Sequence, residues 1–463
     1  MKKLFVTMSL VLVFFISTAV SASAVVNDTI KVGLRYGADA LEVANLENAV
    51  GAGYLFGSFD EERNFVPSDY STDVTTISVR NVNQCLEVII TGTDEVLYTC
   101  ESGEKLGILP YGDGEETETW FKGYKYPGGF EYSAYYGKVQ VVNVVDVESY
   151  VKGVIPFEMS SNWPEAALEA QAICARTYAN KVRHSSYGFD ICNTTDCQVY
   201  YGRGSGTRYP SAISDRAVDN TAGELLCYEG IPVGTAVYHA HDGGATEDAE
   251  NVWGSEIPYL CGKIDPYESQ TSIPSYRYSV TYTPEELTYI LGQKDQNIGT
   301  VKNVYVSEFT KTGNVKRVTF EGTKGTKTFS GETCKTIFYS STYNKSVRSM
   351  RFTINGAGAV GESIYINDAT TQLKTLEGVS VISGSGSRST LGNDNYQVLT
   401  SAGVKTLDAG TALKTNPGGN FVIEGTGNGH NVGMSQYGAK AMAELGYTYR
   451  DILEFYYTDI TIE

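Results

Sequence analysis

Glu158 has the setting that most suggests chemistry. It stands in Pro156-Phe157-Glu158-Met159, close to Trp163, in a stretch where a plain core would need only apolar side chains. A carboxyl in a partly apolar setting has its pKa raised, as a general acid at neutral pH requires. The sequence predicts that a helix begins just beyond it, and a helix N-terminus favours the ionised form, so the balance stays open. The alternative is a helix-terminal charge with no reactive role. Cys192 and Cys197, with His184 eight residues upstream of the first, offer three of the four ligands of a tetrahedral zinc, and Asp196 a hard-oxygen fourth. A Cys192–Cys197 disulfide competes with that reading. His239 and His241 precede Asp242-Gly243-Gly244, and a last block runs Gly429-His430-Asn431-Val432-Gly433-Met434-Ser435-Gln436-Tyr437. Glycines 425, 427, 429 and 433 let backbone there turn sharply or approach a ligand. A lone histidine such as His430 also serves simply as a hydrogen-bonded structural residue. Ser435 lies near it without the Gly-x-Ser-x-Gly elbow of a serine hydrolase.

Longer blocks surround these residues. Val154 to Met159 is followed by Trp163-Pro164-Glu165 and then Leu168-Glu169-Ala170-Gln171-Ala172, closing on Ala175-Arg176-Thr177-Tyr178-Ala179. Together with Gly429 to Ala439, this resembles the signature of the SpoIID/LytB family, the bacterial stage II sporulation protein D and amidase-enhancer proteins, which act on peptidoglycan. The likeness spans roughly 120–463 and is densest at 140–265 and 425–463. It implies that Glu158 is the catalytic acid/base of a lytic transglycosylase. An ordinary glycosidase needs two carboxyls. A lytic enzyme needs one, which protonates the leaving oxygen and accepts the proton of the muramic acid C6 hydroxyl as that oxygen attacks C1. The product is a 1,6-anhydro-muramyl end, released from glycan that an amidase has already stripped of peptides. The rival reading is a non-catalytic, glycan-binding enhancer of an N-acetylmuramoyl-L-alanine amidase.

Other residues take roles within that resemblance. Arg176 is a partner for a sugar or lactyl carboxylate, or else a salt-bridge residue. Gln198 and Tyr200 belong to a family-like Cys197-Gln-Val-Tyr run. The 192–197 segment resembles one that carries zinc ligands in some sporulation members, often with His just before the second Cys; here that position is Asp196, which puts zinc in question. The run from Tyr238 to Glu247, followed by Val252-Trp253-Gly254, looks like a cleft wall with Trp253 free to stack on sugar. His430, Ser435, Gln436 and Tyr437 would then line the substrate cleft.

The elements that must position these groups are mostly strands. Alternating patterns predict strands at Ile30–Tyr36, Thr76–Arg80, Leu86–Ile90 and Lys138–Val145, then near Val304, Arg317, Phe352 and Phe421. A helix is predicted from near Pro164, with Leu168, Ala172, Ala175, Ala179 and Val182 on one face. Two more run from Ser435 to Leu445 and from Thr448, where Asp451 completes a capping-box variant. The expected fold class is α+β, a β-rich two-lobed architecture whose few helices line a cleft. Its expected divisions are a signal peptide (1–24), a β-rich region (25–135), a core bearing the glutamate (136–265), a β-rich second lobe with an insertion within 353–417 (266–424), and a closing helical part (425–463).

Lys2 and Lys3, an apolar stretch and Ala22-Ser23-Ala24 read as a cleaved export signal, with an uncleaved anchor as the alternative. Without those lysines the acidic excess rises from 18 to 20, a surface that repels phosphate backbones and makes nucleic acid an unfavoured partner. The expected partners are glycan strands and a wall amidase, and the expected place is outside the cell or in its wall. The 34 tyrosines suit half-buried strands as well as sugar stacking. Cys85 and Cys100 are candidates for a hairpin staple.

Overall fold

The computed structural model describes residues 28–48, 51–112, 118–204, 208–355 and 419–463 in full, with the backbone of six short strands between 364 and 407. The expected signal segment lies outside the described residues, as does most of the expected insertion. The chain is α+β and β-rich. Among the described residues, no helix is long and apolar enough to cross a membrane.

A seven-stranded sheet forms the floor beneath the Glu158 region. Its spatial order is Ile191–Cys192, Thr29–Arg35, Lys138–Asp146, Gly129–Tyr135, Leu106–Pro110, Tyr54–Phe59 and Phe65–Thr72. A six-stranded sheet carries Val43–Asn48, Thr76–Val82 and Cys85–Ile90, and both sheets contribute to one hydrophobic cluster. The alternation along Thr29–Arg35 and Lys138–Asp146 made both strands legible. They pair antiparallel from Thr29↔Asp146 onward, which joins the N-terminal region to the core bearing the glutamate. Cys85 and Cys100 carry free thiols.

The described helices are α1 (Val147–Glu158), α2 (Glu165–Ala179), α3 (Ala212–Asn220), α4 (Ala249–Trp253), α5 (Pro284–Gln293), α6 (Thr333–Thr336), α7 (Gln436–Glu444) and α8 (Tyr449–Tyr456). Helix α1 is the element the sequence reading missed. Pro156 suggested a turn before Glu158, yet it lies within the last turn of α1, where the loss of one N–H donor is tolerated near a helix end. Asp146 ends the preceding strand and starts this helix, its side chain accepting from the Ser149 N–H at 2.8 Å. Gly153 allows close packing, since a Cβ there would lie 2.4 Å from the Gly202 carbonyl and 2.6 Å from the Tyr200 ring.

A second hydrophobic cluster gathers Tyr282, Leu287, Val304, Phe320, Phe338, Phe352 and Phe421. Two buried residues tie it to the first. Glu247 accepts from Thr310, Thr312 and Asn314, while its other oxygen accepts from the Asp248 N–H and Asn251. Asn431 accepts from the Met350 N–H at 3.0 Å and donates to the Asp242 and Ala245 carbonyls.

Candidate functional site

Glu158 is the last residue of α1, not a residue ahead of a helix. The dipole therefore acts with the sign opposite to the one expected from sequence, because the negative end of α1 disfavours a carboxylate there. Burial is the largest influence and raises the Glu158 pKa; the Val199 N–H, the Gln436 amide, the Tyr238 hydroxyl and the Arg208 charge all pull it down without cancelling the rise.

These neighbours come from distant parts of the chain. Gln436, the first residue of α7, points its amide Nε2 at Glu158 Oε2 and at Gln171 Oε1 of α2, both at 3.4 Å. A two-residue parallel pairing, Tyr238↔Met434 and His239↔Ser435, places Tyr238 beside that helix start. Gly433 makes the pairing possible, with φ +73° and no room for a Cβ, which would lie 2.1 Å from the Val237 carbonyl. Tyr150 donates to Gln198 Oε1 at 3.0 Å, and Gln198 Nε2 donates to the Tyr238 hydroxyl at 2.9 Å. Since that hydroxyl accepts from Gln198, its own proton is free to point at Glu158. The carboxyl is thus held by a backbone amide, a carboxamide and a phenol, all donors. When Glu158 is protonated, none of these three groups takes up its proton, which is left for an incoming acceptor.

Aromatic rings flank the glutamate. Phe157 meets Tyr201 edge-on at 5.3 Å, and Tyr201 stacks on Tyr124 at 4.7 Å. Tyr437 meets half-buried Trp163 at 4.8 Å and His241 at 5.8 Å. Flat apolar faces beside a partly buried acid suit the faces of sugar rings.

Of the residues singled out from sequence, Glu158, Gln436 and Tyr437 come together here, and Gln198 joins them through Tyr238. Arg176 does not. It is fully buried and forms a bidentate pair with Glu148, Nε–Oε1 2.8 Å and Nη2–Oε2 2.6 Å, and also bonds the Glu224 and Val218 carbonyls. Glu148 lies ten residues before Glu158, about 15 Å along α1. Its guanidinium is committed to joining α1, α2 and the end of α3. Tyr200 is likewise a core residue, buried and bonded to Asn143 at 2.9 Å. The Cys-Gln-Val-Tyr run acts at Glu158 through the backbone of Val199 instead. His430 accepts from the Val432 N–H at Nδ1, so its Nε2 carries the proton and donates to the Tyr238 carbonyl at 3.1 Å. Burial and the nearby Lys335 charge push its pKa down to about 4, so it is a neutral structural group. Trp253 is partly exposed and lies 5.3 Å from the His430 ring. Ser435 is buried, caps α7 by accepting from the Gly438 N–H and donates to Glu268, which leaves no room for a nucleophilic role.

Gln171, Tyr238 and Val199 meet Glu158 or its partner Gln436, and the sequence reading gave none of them a role of its own. Gln171 had a signal, being a polar residue among the buried apolar positions of α2. The Val199 contribution had none, because a backbone N–H is present at every non-proline residue.

Ser435 leads to a buried knot of Asp242, Asp265 and Glu268, whose carboxylate oxygens lie within 4.8 Å of one another. Five of the six oxygens accept bonds. Glu268 takes the Asp242 and Gly243 N–H groups and Ser435; Asp265 takes Tyr456 and the N–H groups of Tyr267 and Glu268; Asp242 Oδ1 takes the Gly244 N–H. Asp242 Oδ2 has no donor. Burial, then Asp265 and Glu268, hold the Asp242 carboxyl well above the usual aspartate range, so it is the protonated member and gives its proton to a neighbouring carboxylate.

His184, Cys192 and Cys197 also come together, with His184 Nε2 3.2 Å from Cys197 Sγ and all three donor atoms within 4.8 Å. Both thiols are free, so the disulfide alternative is not formed. Asp196 is exposed and outside the cluster. The donor set of one nitrogen and two sulfurs fits zinc through three protein ligands. A metal there would peg the 192–197 loop, which delivers Gln198 and the Val199 N–H to the glutamate.

Residues 135–228 match the model of the family described as stage II sporulation protein. Over 327 residues the chain is 29% identical to the amidase enhancer of Bacillus subtilis, covering 67% of this chain and 40% of that longer protein. It is 28% identical to the stage II sporulation protein D of Bacillus subtilis over 69% of this chain and 74% of that one. An uncharacterised protein of Brachyspira hyodysenteriae is 28% identical over 81% of this chain and 84% of its own length.

Replacing Arg176 with Leu strands Glu148 without its partner, and the free energy of unfolding in urea falls by about 3 kcal/mol. Asp242→Asn tests the proton-sharing knot. A raised carboxyl pKa gives stability that is complete below the ordinary aspartate value and is lost as pH rises through the folded value. The variant keeps a donor at that position at every pH, so its melting temperature relative to the parent climbs between pH 5 and pH 9. A difference that stays flat or falls over that range sinks the assignment.

Proposed function

We infer, for a chain that belongs to the SpoIID/LytB family, that Glu158 makes it a peptidoglycan lytic transglycosylase acting on peptide-stripped glycan between N-acetylmuramic acid and N-acetylglucosamine. The observation that carries this reading is the setting of a single, partly buried carboxyl whose fixed neighbours are donors. Its raised pKa keeps a protonated fraction towards neutral pH for transfer to the leaving glycosidic oxygen. Once it has given up that proton, the same donors stabilise the carboxylate, which accepts the C6 hydroxyl proton as that oxygen closes on C1. Atoms balance without water: one C1–O bond breaks, another forms, and the proton taken up equals the proton given. Gln436, held by Gln171, and Tyr238, held by Gln198, fix the carboxyl's orientation. The Trp163–Tyr437 and Phe157–Tyr201 pairs offer surfaces for sugar rings on either side.

The likeness to an amidase enhancer supports a second reading, in which the cleft binds glycan and stimulates a wall amidase without cleaving. Both place the protein outside the cytoplasm, in keeping with the signal-like pattern of residues 1–24. A zinc held by His184, Cys192 and Cys197 would be structural in either case.

Glu158→Gln keeps the shape of the side chain and one accepting oxygen and removes the transferable proton. With peptide-stripped glycan, it should release anhydro-muramyl ends at least about 100-fold more slowly than the parent while still co-sedimenting with the glycan. Equal release by both proteins would remove Glu158 from the chemistry, and no release by either would favour the enhancer reading. For the metal, elemental analysis of protein purified without chelator should give one zinc per chain, lost in Cys192→Ser together with several degrees of melting temperature. Protein free of zinc and indifferent to chelator would rule the site out.

A further inference from the structure

Arg208 is an exposed cation at the edge of this site with no carboxylate of its own. Its guanidinium carbon lies 5.9 Å from the centroid of the Phe157 ring, and its charge acts on Glu158. Neighbouring cations are already engaged: Arg203 with Asp215, Lys125 with Glu118 and Lys152 with Asp219. Arg208 has no ion pair among the described residues, in a chain whose net charge is −18. It stands over the first ring of the Phe157–Tyr201–Tyr124 ledge, where a sugar lying on that ledge would present its substituents to it. Arg176, the cation suggested from sequence for a lactyl carboxylate, is sealed in the core.

Peptidoglycan offers one group that changes charge when peptides are removed. In intact strands the lactyl carbonyl of muramic acid is a neutral amide to the stem peptide; after amidase action it is a free carboxylate. A guanidinium recognises a carboxylate through paired N–H donors and gains little from an amide, which also brings a bulky chain.

We propose that Arg208 selects peptide-stripped glycan by pairing with the free lactyl carboxylate of the muramic acid next to Glu158. This deepens the reading of the same cleft given above and rests on it for the identity of the polymer. One consequence reaches the acid itself. Free Arg208 draws the Glu158 pKa down, and a bound carboxylate cancels that influence, so the correct strand favours the protonated acid at the moment it is needed.

The test uses two forms of the same peptide-stripped strands, one with free lactyl carboxylates and one with those carboxylates converted to neutral N-methylamides. Binding affinity and release of anhydro-muramyl ends are measured for the parent, Arg208→Gln and Arg208→Lys over a pH series. The parent should prefer the carboxylate strands by about tenfold to a hundredfold. In Arg208→Gln the ratio should collapse towards one, with Arg208→Lys between them. On the carboxylate strands the alkaline limb of the parent's kcat profile should lie at higher pH than that of kcat/KM, a separation that the neutral N-methylamide strands lose. A parent that treats both strands alike, or a glutamine variant that keeps the preference, overturns the proposal. Should no protein cleave either strand, the transglycosylase reading fails; the affinity ratio still decides the role of Arg208, since an Arg208-dependent preference in binding sustains it and an equal affinity ends it.

Discussion

A partly buried carboxyl placed at the negative end of a helix is the constraint around which this structure is arranged. Left alone, Glu158 would be neutral and free to turn. The structure supplies hydrogen-bond donors from three elements, the Val199 backbone, Tyr238 and Gln436, so that burial and donation oppose each other. Burial prevails, so the Glu158 pKa is raised, while the donors limit the rise. Two of the donors are themselves held, Tyr238 by Gln198 and Tyr150 and Gln436 by Gln171, while Val199 follows the loop on which Cys197 meets His184.

The architecture beneath serves that convergence. Helix α1 must end in the same place each time, and Arg176 with Glu148 fixes its other end to α2 and to the end of α3. A buried pair of this kind adds little net stability, but losing one partner is costly, which makes it a strict geometric tie. At the start of α7, Ser435 connects the acid's amide neighbour to the proton-sharing knot of Asp242, Asp265 and Glu268. Glu247 and Asn431 then join the strands of this region to the second hydrophobic cluster, so that cluster bears on the site through backbone position and not through a reacting side chain.

Much of the scaffold could be read from the chain, because strands and capped helices depend on local alternation and short-range hydrogen bonds. Thr29–Arg35, Lys138–Asp146, α2, α7 and the Thr448–Asp451 capping box all fall where the pattern put them. Helix α1 did not, since a proline in its last turn outweighed the Asp146 cap in a local reading. Arg176 and Tyr200 were given substrate roles for their chemistry and their place in family-like blocks. A charged or hydroxylated side chain in a signature block looks the same whether it faces a cleft or a core, and only their partners Glu148 and Asn143 tell which.

By itself, the sequence determined that one glutamate, a histidine with two cysteines, and a glycine-rich block ending in Ser435-Gln436-Tyr437 are the residues with chemical potential. Residue type and near-neighbour context are local properties, and they suffice for that choice. Only the tertiary structure decided which groups meet Glu158, which end of a helix it occupies, and therefore the sign of the dipole acting on it. It also decided that Arg208 is exposed and without an ion pair among the described residues, while Arg176 is sealed away. Burial and the direction of a side chain are set by elements up to 278 residues apart in the chain, as Gln436 and Glu158 are, and no local pattern carries that distance.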